Sequence, residues 1–308
     1  MNRAPGMAVG ATAAYTYAFR GTNLTLDDYL LSIETLPALG LHFFDLEILQ
    51  PQHVAIYGNE ANLAKLEAAL KQHDVRIAGF TAWACLDFIH STRPADHEKG
   101  YRLFADIARI AARLGASYIH LGSDMIQEYI VQRDQTYVSA PATKIVIPPE
   151  VSYRKLLDDY AARLARLAQI AHDHGLKFAC EPRANSLIHS ADSFLDVQRR
   201  AGHANLYCCL DVMHLAYHRE HFPIAIEKLG DRLQVVQLCN AVPGELVHRP
   251  LSEGEIEMEP ILHALKKTRF TGFLMLELYR GGKDEKPVVD RWYREGVRAI
   301  GEGARGGS

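Results

Sequence analysis

No stretch of this sequence approaches the ~18 consecutive apolar residues of a membrane-spanning helix, so no membrane partner is expected. Charge of either sign is not in excess: 34 basic against 37 acidic residues leave a net charge of -3. That balance gives no general attraction to nucleic-acid phosphates or acidic lipid, and a nucleic-acid partner is not expected either. Cysteine is sparse, with five residues at Cys85, Cys180, Cys208, Cys209 and Cys239. Their odd number and the lack of any CxxC argue against a disulfide framework or a thiolate zinc site. Each falls in or beside an expected strand, as buried reduced thiols of a cytoplasmic protein do. No GxGxxG follows the first expected strand, which removes the dinucleotide fingerprint of an open doubly wound sheet. The N-terminal MNRAPGMAVGATAAY has only a short, Gly/Ala-rich apolar stretch that runs straight into domain-like sequence. It reads as a first strand (about residues 7–14) rather than a signal peptide.

What is present is one pattern repeated eight times, a strand followed by a helix. Thr25 is placed to cap a helix over LDDYLLSIETLPAL that ends at Gly40. The strand FFDLEIL follows, then the helix ANLAKLEAALKQH and the strand VRIAGFTAW. A helix from about His97 to Leu114 stops at Gly115 before SYIHLG, and YRKLLDDYAARLARLAQIAHDH stops at Gly175 before KFACEP. SADSFLDVQRRA ends at Gly202 before NLYCCLD; PIAIEKLG precedes RLQVVQL, and MEPILHALKKT precedes FTGFLMLEL. A last helix spans roughly 287–300. These strands are too continuously apolar for a sheet with one wet face, and the α/β alternation without a fingerprint points to a closed parallel barrel. The expectation is a single (β/α)8 domain over residues 1–300, with a disordered tail at 301–308. One connection is long, about residues 123–152 after the fourth strand. Segments of that length serve as lids, binding loops or contact arms. Its apolar Ile145, Val146 and Ile147 leave a small hairpin, an oligomer contact with a second copy or a partner subunit, and a substrate lid all open.

In such a barrel the C-terminal strand ends face one mouth, where chemistry gathers. In order they carry Glu47, Glu181 in FACEPRAN, Asp211 in CCLDVMH, Gln237 in VVQLCNA and Glu277 in LMLELY. Three acids and an amide from four consecutive strands would converge, and carboxylates so close repel unless a cation neutralises them. Oxygen donors of this kind suit Mg²⁺, Mn²⁺ or Co²⁺. Strand alternation points Cys180 and Cys239 away from the mouth. Tyr15, Tyr17, Trp83 and His120 are expected on strands near it, with two at most walling a pocket.

Glu181, Asp211 with His214 as DxxH, the seventh-strand position, SEGEIEM and Glu277 together resemble the xylose-isomerase-like TIM barrels. This is the sugar phosphate isomerase/epimerase superfamily, and the likeness is strongest from Lys177 to Tyr279. It implies that Glu181, Asp211, Gln237 and Glu277 hold one divalent metal. Ketose epimerases carry a His where Gln237 stands, and the Gln variant is similar to that of 3-dehydroshikimate dehydratases. The exchange favours Mn²⁺, with Mg²⁺ and Co²⁺ as alternatives. Two further epimerase residues are replaced, by Leu187 and Pro243. Arg183, Asn185, His214, His248 and Arg249, with Glu47, are the candidate substrate contacts.

The resemblance further implies an enzyme that deprotonates a carbon beside the carbonyl of a small keto-sugar or polyol through an enediolate. Glu181 and Glu277 would move the proton, and His214 would assist beside the metal. Proton return gives isomerisation or epimerisation. Loss of a β-substituent gives a dehydratase or lyase, on a dehydroshikimate-like acid or a keto-glycoside. A DNA-repair endonuclease would need more His and Asp ligands and a basic face. A non-catalytic sugar-binding subunit would carry no metal.

Overall fold

The computed structural model describes residues 7–132 and 143–303. Eight strands close into a parallel barrel in the spatial order β1-β10-β9-β8-β7-β4-β3-β2. They are β1 (Ala8–Ala11), β2 (Phe43–Glu47), β3 (Arg76–Thr81), β4 (Tyr118–Gly122), β7 (Lys177–Glu181), β8 (Leu206–Asp211), β9 (Leu233–Leu238) and β10 (Phe273–Leu276). Helices α1 (Ala14–Arg20) to α12 (Lys286–Gly303) follow the strands around the outside. Among the described residues no helix is long and apolar enough to cross a membrane.

Local chemistry sets the helix ends. Thr25 and Asp28 form a reciprocal capping box at the start of α2 (Leu26–Thr35), satisfying two otherwise orphaned backbone donors. A 3-10 turn then carries the chain to Gly40 at φ 84°, a conformation open to glycine at no steric cost. Pro94 begins α6 (Pro94–Arg113), where its missing N–H costs nothing, and Phe104, Ile107, Ala108 and Ala111 bury one helical stripe.

Inside the barrel, one layer consists of Ala78, Tyr118, Ala179, Cys209, Val235 and Met275, flanked by Phe43 and Phe273. Large and small residues fit together closely: a Cβ on Gly79 would lie 2.1 Å from the Tyr118 ring. Tyr118 Oη donates to Asp45 at this level. Side chains alternate along a strand, so the next inward positions are two residues on, about 6–7 Å nearer the mouth. Those positions are Glu47, His120, Glu181, Asp211, Gln237 and Glu277. Cys180, Cys208 and Cys239 belong instead to the core between sheet and helices. All five thiols are free and buried.

Several expectations are corrected. The first strand ends at Ala11, and Tyr15 and Tyr17 lie on α1 rather than on a strand. Tertiary partners decide this: Tyr15 Oη donates to Asp290 of α12 at 2.7 Å, and Tyr17 Oη to Glu47. Trp83 sits on a 3-10 turn just after β3, so His120 alone of the four is on a strand. Short helices the pattern did not signal, α3 (Pro51–Tyr57) among them, follow the strands. The last helix continues through Gly303, so residues 301–303 are not part of a tail, and 304–308 lie outside the described residues.

The long connection after β4 contains a small antiparallel hairpin, β5 (Ile130–Gln132) against β6 (Lys144–Ile145). Its interior, residues 133–142, lies outside the described residues. Val131, Val146, Ile147 and, at the start of α7 (Tyr153–Asp173), Tyr153 are exposed.

Candidate metal centre at the barrel mouth

Glu181 ends β7 and is 2% exposed. His120 Nε2 lies 2.9 Å from its Oε2, and His120 Nδ1 reaches Thr81 Oγ1 at 3.1 Å. His214 Nε2 lies 3.3 Å from its Oε1. Burial opposes the charge on Glu181, but these imidazoles and Arg183 outweigh it and hold the carboxyl below its ordinary range.

Asp211 ends β8 and caps the short helix α9 (Val212–Tyr217): its Oδ1 accepts from Met213 N–H at 2.7 Å and His214 N–H at 3.3 Å. Its Oδ2 faces His248 Nε2 at 2.8 Å. Burial again opposes ionisation, yet His248 and His214 bring Asp211 down to about 2. His248 stands in turn 3.7 Å from Glu277 Oε1. Burial disfavours its charge, but Asp211 and Glu277 prevail and lift it to about 9.

Glu277 follows β10, and its Oε2 is buried without a hydrogen-bond partner. Burial, with Asp211, Glu181 and Glu47 nearby, raises its carboxyl well above the ordinary range; His248 opposes. Glu47, at the end of β2 and 4% exposed, is pushed up to about 8 by burial and by Glu181, with a Trp83 hydrogen bond and Arg183 opposing. Four acids in one largely buried layer therefore call for positive charge, and Glu277 Oε2 has no hydrogen-bond partner. That donor set fits a divalent cation. Two groups have ligand atoms within 4.8 Å of one another, Glu181 with Asp211 and His214, and Asp211 with His248 and Glu277.

The other expected residues are placed as follows. Arg183 lies with its guanidinium 4.8 Å from the centre of the Trp83 ring and its Nε 3.3 Å from His214 Nε2. Gly122 makes room for both, since a Cβ there would come within 2.7 Å of each side chain. Gln237 is buried in the same inward layer, but its Oε1 accepts from the Cys209 thiol at 3.3 Å, towards the barrel floor. Asn185 occupies the left-handed turn of the loop after β7 at φ 58°. Arg249 pairs with Glu245 at 2.6 Å, on its own loop. The sequence did not signal the bonds of His120 to Glu181 and Tyr17 to Glu47. For His120 a clue existed, since it stands two residues beyond inward Tyr118 on β4.

The architecture has many structural relatives. The chain is similar to a D-allulose 3-epimerase from Methylomonas sp. at 17% identity, covering 96% of this chain and 98% of that one with a TM-score of 0.72. It is similar to a D-psicose 3-epimerase from Clostridium cellulolyticum H10, solved with D-tagatose, at 16% identity, 96% and 98% coverage and a TM-score of 0.72. A 3-keto-D-glucoside 4-epimerase from E. coli gives 14% identity, 96% and 98% coverage and a TM-score of 0.69. Comparison with curated protein sequences gives no significant match. The xylose isomerase-like TIM barrel model matches residues 33–302, most of the chain, and the protein belongs to that family.

Proposed function

We propose that this protein is a divalent-metal-dependent isomerase or epimerase of a small keto-sugar or polyol, working by proton transfer beside a carbonyl. The carrying observation is the convergence of buried Glu181 and Asp211 and part-buried Glu277 with two imidazoles at the mouth. Bound there, a cation such as Mn²⁺, Mg²⁺ or Co²⁺ would supply Lewis-acid polarisation of a carbonyl and its neighbouring hydroxyl.

The chain's own residues divide the rest. Glu181, fixed at both oxygens by His120 and His214, is held as a carboxylate able to take a proton from carbon. Glu277, from the far side of β8 and β9, has an oxygen free to give a proton back. Environments that push two carboxyls in opposite directions suit them to base and acid roles. His214 and Arg183 stand together beside Glu181, placed to hydrogen-bond substrate oxygens, and Trp83 offers an apolar wall. The five buried free thiols support a reducing, cytoplasmic setting.

A second reading, elimination by a dehydratase or lyase, shares the first proton abstraction. Glu47 favours it: buried, bonded to Tyr17 and raised to about 8, it is a third carboxyl able to protonate a leaving group at neutral pH.

The test is metal content of protein purified without chelator, followed by incubation in ²H₂O with D-allulose, D-tagatose and 3-keto-glucosides. Near one equivalent of metal and solvent deuterium at the carbon beside the carbonyl are expected, both exchange and turnover falling at least ~10³-fold in Glu181→Gln and Glu277→Gln. Protein that is metal-free and takes up no added metal would refute the proposal.

A further inference from the structure

The strand β9 brings an amide, Gln237, to the inward layer, and the amide oxygen is engaged by Cys209 in the layer beneath. An imidazole reaches the acids from elsewhere. After β9 the chain doubles back so that Asn240 and Arg249 exchange backbone hydrogen bonds at 2.9 Å each, and Tyr279 N–H then donates to His248 O at 2.7 Å. The loop is clasped from inside by the Asn240 side chain. Its Nδ2 donates to Leu251 O and Ile256 O, and its Oδ1 accepts from the Ala241 and Ile256 amides. This framework sets the His248 ring, 8% exposed, between carboxylates of β8 and β10.

The spacing is that of shared ligation. First-row divalent ions bind nitrogen and oxygen at about 2.1 Å, which puts adjacent donors about 3.0 Å apart in octahedral and 3.4 Å in tetrahedral sites. His248 Nε2 lies 2.8 Å from Asp211 Oδ2 and 3.7 Å from Glu277 Oε1, bracketing those values. The other nearby imidazole is committed differently. His214 Nδ1 faces the Ala184 N–H at 3.4 Å, and its Nε2 is shared between Arg183 Nε and Glu181 Oε1 at 3.3 Å each.

We propose that His248, rather than Gln237, supplies the nitrogen donor that completes the metal centre with Asp211 and Glu277. The inference rests on the metal-dependent reading above and sharpens it: a nitrogen donor selects Mn²⁺ or Co²⁺ over Mg²⁺.

The experiment loads the full-length protein with Mn²⁺ and combines equilibrium dialysis with pulsed electron paramagnetic resonance, which detects ¹⁴N bound directly to the ion. Wild type is expected to bind one Mn²⁺ with a clear nitrogen coupling. His248→Gln loses that coupling and binds about 100-fold more weakly or worse, whereas Gln237→Ala keeps the coupling and affinity within about threefold. Wild type that binds Mn²⁺ without nitrogen coupling, or a coupling that survives in His248→Gln, overturns the assignment and leaves the metal-dependent reading standing. Wild type that binds no Mn²⁺ overturns that reading itself. Where His248→Gln does not fold, His214→Gln decides: a nitrogen coupling retained there supports His248, and its loss overturns the assignment.

Discussion

Replacing Asn240 with alanine tests how the loop after β9 is held. The side chain is 5% exposed and makes two donated and two accepted hydrogen bonds, at 2.8 and 3.3 Å from Nδ2 and 2.8 and 2.9 Å to Oδ1. At about 1 kcal/mol net for each buried bond, the ceiling is about 4 kcal/mol. The 3.3 Å bond is weak, and water can reach the half-buried Leu251 and Ile256 once the amide is gone, so the expected loss is about 2–3 kcal/mol. For a domain of this size that corresponds to roughly 3–5 °C in Tm. Urea unfolding in EDTA measures it, with Asn240→Asp as the partial control that keeps both acceptor bonds and loses both donors. Amide exchange at Ile256 and Arg249 reads the loop separately, because local opening can absorb the loss without lowering global stability. Unfolding within about 0.5 kcal/mol of wild type together with unchanged exchange at both amides would refute the reasoning. Asn240 touches none of the acids in its hydrogen bonds, so weaker Mn²⁺ binding in Asn240→Ala reports loop positioning alone.

Other outcomes follow from the same geometry. In metal-free protein the His248–Asp211 pair makes stability depend on pH. His248 is raised from 6.5 to about 9, so its contribution is complete below about pH 6.5 and lost as pH climbs through 9; the decline should flatten in His248→Gln, measured by urea unfolding in EDTA. Asp211, lowered from 3.8 to about 2, contributes above about pH 3.8 and loses that contribution as pH falls through 2, seen as acid unfolding. Gly79→Ala drives a methyl into the Tyr118 ring and is expected to cost about 1–3 kcal/mol by overpacking, with a further ~1 kcal/mol if the Tyr118–Asp45 bond breaks; a normal melting curve would contradict that packing. All five cysteines are fully buried, and burial lifts Cys180 to about 12, so a thiol reagent should label none in the native protein and all five in urea.

Much of this barrel was legible because its signals are local or strictly periodic. Thr25 with Asp28, Ser190 before α8 (Ala191–Ala201), and Gly40 and Gly202 beyond their helices mark element ends through backbone chemistry that neighbours in sequence complete. Alternation along fully buried strands placed Glu181, Asp211, Gln237 and Glu277 on the inward face. Tyr15 and Tyr17 were misread because ATAAYTYAF alternates as a strand does, and only distant Asp290 and Glu47 make it a helix. The approach of His248 to Asp211 was equally invisible as a geometry. It depends on a loop whose path is set by Asn240 and Tyr279, residues with no periodic relation to it. The aim of the Gln237 amide was also hidden, since alternation fixes the face a side chain leaves from and not the partner it finds.

Asp211 spends its two oxygens on different tasks. Oδ1 is consumed in starting α9, and Oδ2 faces His248. A carboxylate so divided cannot swing to offer both oxygens at once without unravelling the first turn of its own helix. Glu277 is under no such restraint at Oε2. In the proposed metal centre, rearrangement of donors on substrate binding would therefore fall on the β10 side, with the β8 side as the fixed anchor against which it moves.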